Sequence, residues 1–201
     1  MWIDHHKNAS EEENDHYTKM ALNGVSTHLQ IIGENPNREG LRETPKRVVK
    51  SWIELYSGYG KDPKDIFTVF EAGGCDQIVL LKGIEFYSMC EHHMLTFFGV
   101  AHIAYLPGEK VIGISKLARL LEIYSRRLQI QERIGEQVTT ALMSYLQPKG
   151  AACIIEAKHM CMCSRGVSKQ SSIMVSSSMK GLFLTDPSAK QELMTLIQLQ
   201  K

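Results

Sequence analysis

QIVLLKGIEFYSMCEHHMLTFFGVAHIAYL (77–106) is the stretch whose reading decides the fold. Its two halves are rich in β-branched and aromatic residues, which predicts a pair of strands flanking CEHH (90–93). That turn crowds a thiol, a carboxylate and two imidazoles between apolar neighbours. Such groups are costly to place side by side unless something binds them. Cys90 and His93 are three residues apart, a spacing that lets two side chains of one tight turn meet one ion, and thiolate plus imidazole suits zinc. Two ligands do not make a stable site, so a further one must come from elsewhere.

HMCMC (159–163) is the obvious source. AACIIEAKHMCMC (151–163) predicts a strand with VSKQSSIMVSSSM (167–179) as its partner, so that His159, Cys161 and Cys163 share one face. One thiol from this set completes a Cys-His-Cys site with an open fourth position. Open positions are catalytic, because water bound there is acidified to a pKa of about 7. Three readings stand together at this level: an open catalytic site, a closed structural zinc with Cys163 or His92 as fourth ligand, and no metal, with Cys153 and Cys163 packed as small hydrophobes.

Composition sets the frame. The chain has 201 residues, 43% hydrophobic and 22% charged, as in an ordinary soluble domain with a small appendage. A formal net charge of +1 argues for neither nucleic acid nor a membrane surface as partner. No apolar run is long enough to span a bilayer, and the opening MWIDHHKNASEEEND lacks the apolar core of a secretory leader. Five cysteines, three of them beside histidines or one another, favour metal or catalysis over a disulfide framework, with the cytoplasm as the expected compartment.

Upstream of the hairpin, Ser10 followed by Glu13 predicts a capping box and a helix to about Ile32. Thr44-Pro45 opens a second helix carrying Val48, Val49, Trp52, Ile53 and Tyr56 at helical spacing. Residues 1–70 are thus expected to form a helical arm. Downstream, Ser115 is expected to cap a helix with Leu117, Leu120, Leu121 and Tyr124 on one side. A second helix carries Ile130, Ile134, Val138, Leu142 and Tyr145, and Asp186-Pro187 opens a closing one. Strands, helices, strands and a last helix predict an α+β domain over 71–201.

Two further motifs carry chemistry. In VIGISKLAR (111–119), Ser115 and Lys116 at a helix start offer N–H groups, a hydroxyl and an ammonium to an anion, with Arg119 one turn on. An ordinary cap with two solvated charges explains the same residues. Glu132, early in its helix, suits the dipole; a carboxylate there also accepts two parallel N–H donors, as on the edge of a guanine.

GLRETPKRV (40–48), MCEHH (89–93), VIGISKLAR, YSRRLQIQER (124–133) and HMCMCSRG (159–166), in this order, resemble type I GTP cyclohydrolase. The resemblance runs from about Asn14 to the C-terminus. It implies a tunnelling fold, an antiparallel sheet with helices on one face, and a Zn2+ enzyme that hydrolytically opens the guanine imidazole ring of GTP. Formate leaves, the ribose undergoes an Amadori rearrangement, and closure gives dihydroneopterin triphosphate for tetrahydrofolate, biopterin or deazapurine synthesis. Cys90, His93 and Cys161 match the zinc ligands, and His92, His159 and Ser115 the catalytic acid–base groups. Glu132 with Gln131 matches the guanine-reading pair. Ser115, Lys116, Arg119 and Arg165 match groups binding ribose and triphosphate, and Arg47 and Lys50 basic residues from a neighbouring subunit. The implied assembly is a homodecamer of two stacked pentamers with sites between subunits. Cys163 departs from the family pattern. On a straight strand it lies about 6.6 to 6.8 Å from Cys161, too far for both sulfurs to reach one ion. Two other readings of the same residues are a tunnelling-fold relative with other pterin or deazapurine chemistry, and a zinc-stabilised scaffold.

Overall fold

Two sheet-forming runs joined by the CEHH turn need a partner surface, and the computed structural model shows what supplies it. Residues 10–199 are described; the expectation about a secretory leader falls partly on residues 1–9, which lie outside them. The chain divides into two compact units, 1–61 and 62–201.

The first unit is a helix pair. Ser10 caps α1 (Glu11–Ile31): its hydroxyl accepts from Glu13 N–H, and the Glu13 carboxylate accepts from Ser10 N–H. The chain leaves the helix through Gly33 at φ +85°, a left-handed conformation that glycine adopts without strain. The second helix, α2 (Thr44–Leu55), starts one residue earlier than expected, with Glu43 rather than Thr44 at the cap and Pro45 in its first turn. The arm is expected over 1–70, and the compact unit stops at Lys61. Ile66, Phe67 and Val69 pack on the core of the second unit, and β1 (Val69–Glu71) pairs with β4 (Lys110–Ile112).

The second unit is built on a five-stranded sheet ordered β5-β2-β3-β6-β7. The predicted hairpin is β2 (Val79–Cys90) and β3 (Thr96–Leu106), followed across the sheet by β6 (Gly150–His159) and β7 (Met174–Gly181), all antiparallel. The two-residue β5 (Leu128–Gln129) joins the other edge, parallel to the end of β2. Alternation sets the faces. Ala101, Ile103 and Tyr105 of β3 with Cys153, Ile155 and Ala157 of β6 point to one side. There α3 (Ile114–Ser125) brings Leu117, Leu120 and Leu121, and α4 (Gln131–Tyr145) brings Ile134, Val138 and Leu142. The intervening Ala104, Ala152 and Ile154 meet Phe183 of α6 (Leu182–Thr185) and Leu193 of α7 (Pro187–Gln198), which add a smaller core on the other face.

Two local expectations change. Ser115 does not cap α3: the cap is Gly113, and Ser115 is the second helical residue with its side chain exposed. The strand through HMCMC stops at His159. Residues Met160–Cys163 form a single helical turn, α5, closed by Ser164, whose N–H and hydroxyl both donate to Met160 O at 3.0 and 2.7 Å. Gly166 at φ +63° then lets the chain fold back, with Lys169 N–H donating to Met162 O. Local side-chain–backbone bonding overrides the strand pattern here.

Candidate metal centre and its surroundings

Strand order and register bring the chemistry to one end of the sheet. β2 ends at Cys90, β3 begins at Thr96, and β6 ends at His159, opposite Phe97 in the ladder. Phe97 in turn sits opposite Ser88 on β2, two residues before Cys90. The CEHH turn is tied back on Cys90: its N–H donates to Leu95 O at 2.9 Å, and its carbonyl accepts from His93 and Met94 N–H at 3.3 and 2.8 Å. Met94 takes φ +51°, the left-handed step that reverses the chain into β3.

Cys90, His93 and Cys161 place one ligand atom each within 4.8 Å of one another. Cys90 is buried, Cys161 half-buried and His93 exposed, so the cluster has a sulfur-lined floor and an open side. Cys90 Sγ lies 3.6 Å from His93 Nδ1. An ion bonded tetrahedrally to a sulfur at about 2.3 Å and a nitrogen at about 2.0–2.1 Å sets that separation at about 3.6 Å, so the donors fit. Burial, and then the neighbouring Cys90, push the Cys161 thiol above its usual range, a cost that a cation among the donors reverses. His92 Nδ1 is 3.9 Å from Cys90 Sγ, yet His92 is not in the cluster; its exposed ring crosses that of His93 at 69° with centroids 6.2 Å apart.

The helical turn separates the two thiols of CMC more strongly than a strand would. Side chains two apart on a helix diverge by about 200°. Cys163 Sγ accordingly points into its own loop, toward Lys169 O at 3.6 Å and Gln170 O at 3.9 Å, and takes no part in the cluster. The reading in which Cys163 supplies a fourth ligand is thereby removed.

His159 stands beside the cluster with its ring flat on Phe97, centroids 4.6 Å apart and planes within 3°. Burial lowers its pKa, opposed by the Glu132 carboxylate nearby. Glu132 itself is exposed. Gln131, matched above to the guanine-reading pair, has its side chain enclosed instead: it is 1% exposed, and its oxygen meets His159 Nε2 at 2.9 Å. Arg165 lies close enough to Cys161 to favour its thiolate.

A brace not visible in the sequence holds the turn. Arg133 of α4 makes a two-pronged pair with Glu91, and Glu91 N–H donates to Gln129 O at 3.0 Å. The guanidinium beside Glu91 holds its carboxyl below the usual range. Forty-two residues separate the partners, so spacing gave no signal.

Ser115, Lys116 and Arg119 start α3, and among the described residues no hydrogen bond or ion pair joins them to the metal donors. Arg47 and Lys50 are exposed on α2, three apart and thus on one face of that helix. Among the described residues no helix is long and apolar enough to cross a membrane.

Fold and site together define an α+β chain with a two-thiol, one-imidazole cluster at the end of its sheet that could hold a metal ion. The family model described as GTP cyclohydrolase I matches residues 21–198. The chain is 60% identical over 171 residues to GTP cyclohydrolase 1 of Wolinella succinogenes, covering 85% of this chain and 91% of that one. It is 50% identical over 175 residues to GTP cyclohydrolase 1 of Chlorobium chlorochromatii, covering 87% and 78%. Against GTP cyclohydrolase 1 of Campylobacter jejuni it is 49% identical over 179 residues, covering 88% and 94%. The chain belongs to the GTP cyclohydrolase I family.

Proposed function

We infer that this chain opens the imidazole ring of GTP hydrolytically, releases C8 as formate and closes the product to 7,8-dihydroneopterin triphosphate. The observation that carries this reading is the convergence of Cys90, His93 and Cys161 with two further histidines at one sheet end, in a member of this family. Zn2+ is the metal the donor set suits, and when held by these three residues it supplies Lewis acidity and acidifies water for attack at C8. The chain's own groups do the rest. His92, exposed beside the cluster, delivers a proton to the purine nitrogen as C8 is attacked. His159, held against Phe97, moves protons at the ribose during the rearrangement, with the Ser115 hydroxyl assisting. Glu132 accepts from guanine N1–H and the 2-amino group, and Arg165, Lys116 and Arg119 meet the ribose and triphosphate.

The same reading makes the site a product of assembly. From Ser125 the chain passes into β5, which pairs beside Cys90. Ser115 lies ten residues earlier, about 15 Å back along α3. On this reading, which rests on the family resemblance, the start of α3 serves the metal centre of another copy, with Arg47 and Lys50 supplied by a neighbouring subunit, in a homodecamer of two stacked pentamers. Cysteines left free suit the cytoplasm.

The test is to incubate the purified, zinc-loaded chain with GTP or ATP and to follow formate and the fluorescent pterin formed on oxidation. GTP should give both. ATP lacks both donors for Glu132 and should react at least about 10⁴-fold more slowly. Glu132→Ala should lose GTP turnover while keeping its zinc. A fully zinc-loaded chain that makes no pterin overturns the reading.

A further inference from the structure

Gln131 opens α4 next to Glu132, and its side chain turns into the protein where Glu132 turns out. Its Nε2 end lies 2.9 Å from Ile155 O on β6 and 3.1 Å from Met174 O on β7, with Ser176 Oγ at 3.0 Å. Backbone carbonyls only accept hydrogen bonds. Two of them at one end of the amide fix that end as the NH2 group, so the orientation of Gln131 is set by its surroundings. The other end is then the carbonyl oxygen, and it faces His159 Nε2 at 2.9 Å.

An amide oxygen accepts and cannot donate. The hydrogen bond therefore requires a proton on His159 Nε2, and in the neutral ring the lone pair is left on Nδ1. Phe97, stacked flat on the imidazole, opposes the half-turn of the ring that would put Cε1 in the place of Nε2. Both polar groups of the Gln131 side chain are engaged in this arrangement.

We propose that Gln131 is a positioning residue for the reaction: it locks His159 as the Nε2–H tautomer and leaves Nδ1 as the nitrogen offered to the substrate. This rests on the reading above in which His159 moves protons in GTP ring chemistry, but the tautomer is measured without substrate. Magic-angle-spinning 15N spectra of the zinc-loaded, histidine-labelled assembly at neutral pH distinguish a protonated from an unprotonated ring nitrogen. His159→Asn assigns the signal by its loss. Nε2 should carry the proton and Nδ1 should not; the reverse pattern in the wild-type protein overturns the proposal, whatever the variants do.

Gln131→Met removes the acceptor at nearly the same volume. It should give a mixture of His159 tautomers and lower kcat about 100-fold, the scale of a lost acid–base group, with KM within about threefold. A raised KM with kcat kept would make Gln131 a substrate-reading residue and sink the positioning role. The two readings fail separately. A wild-type chain inert toward GTP defeats the proposed function, whereas an active chain with Nδ1–H at His159 defeats only this proposal.

Discussion

Gly99 should be the least replaceable residue near the metal centre, although it touches none of the donors. It lies on β3 opposite Ala157 of β6, and a Cβ added there would sit 1.9 Å from Glu156 O and 2.7 Å from Ala157 Cα. Both contacts are with backbone, so no side chain can swing aside. Relief to an ordinary separation requires β3 and β6 to part locally by more than about 1 Å, which takes adjoining ladder bonds beyond hydrogen-bond length. Overpacking costs about 1–3 kcal/mol and each lost ladder bond about 1 kcal/mol, so Gly99→Ala should destabilise by about 3–5 kcal/mol. For a chain of this size that lowers Tm by about 10 °C. The strain falls two residues from Phe97, on which His159 stacks, so zinc content should fall as well. Gly135 provides the opposite control. It is inside α4, its added Cβ would meet Ser178 Cβ at 3.5 Å, and Gly135→Ala should stabilise by about 0.5–1 kcal/mol. Thermal unfolding at fixed protein concentration, with zinc measured on the same samples, checks both. A Gly99→Ala protein within about 2 °C of wild type, or one that moves in the same direction as Gly135→Ala, refutes the reasoning.

Cys163→Ala should keep stoichiometric zinc and most GTP turnover while Cys161→Ala loses both; zinc loss from Cys163→Ala in metal analysis would mean that the cluster is wrongly composed. Co-expressing Cys161→Ala and Lys116→Ala chains should restore about a quarter of wild-type activity, the share of sites drawing both intact groups when each site spans two copies. No recovery in mixed assemblies confirmed by mass spectrometry would place each site within one chain. His102 is buried, which lowers its pKa against the opposing pull of Glu156, and its Nδ1 accepts from Gly83 N–H at 3.2 Å. The unfolded chain then takes up the proton first, so this stability is present above about pH 6.5 and is lost as pH falls below it. His102→Gln keeps an acceptor without the titration and should flatten the drop in urea stability between pH 7.5 and 5.5; an unchanged drop would exclude His102 as its source.

The sequence and the structure agree where periodicity and packing point the same way. The β2–β3 hairpin, α4 and the pairing of Cys90 with His93 were legible because strand-forming residues, a helical apolar stripe and a ligand spacing are all local signals. The helical turn at 160–163 was not, since it depends on Ser164 and on a loop whose Gly166 backbone conformation no pattern reveals. The brace between Glu91 and Arg133 was hidden by their separation along the chain. Gln131 did leave a signal. It lies three and four residues before Ile134 and Gly135 and seven before Val138, all buried, which puts it on the apolar stripe of α4. A glutamine on that stripe has to satisfy its amide internally, whereas Glu132, one position on, is turned to solvent.

This difference between adjacent residues bears on how the site is divided. The parts needing fixed geometry are anchored on the sheet: Cys90 ends β2, Cys161 follows β6, and His159 is held between Phe97 and Gln131. Glu132, His92 and Arg165 are exposed on the single chain, as are Arg47 and Lys50 on α2. Charges in water discriminate weakly, because screening and high dielectric reduce each interaction to about 1 kcal/mol or less. If Glu132 is to reject ATP by the large factor expected, it must lose solvent without gaining a protein partner. The isolated chain does not supply that environment, and a neighbouring copy closing over the open side of the cluster would. Specificity should then depend on assembly more steeply than metal binding does. Dilution or interface mutations that dissociate the oligomer should abolish GTP turnover while leaving zinc on Cys90, His93 and Cys161.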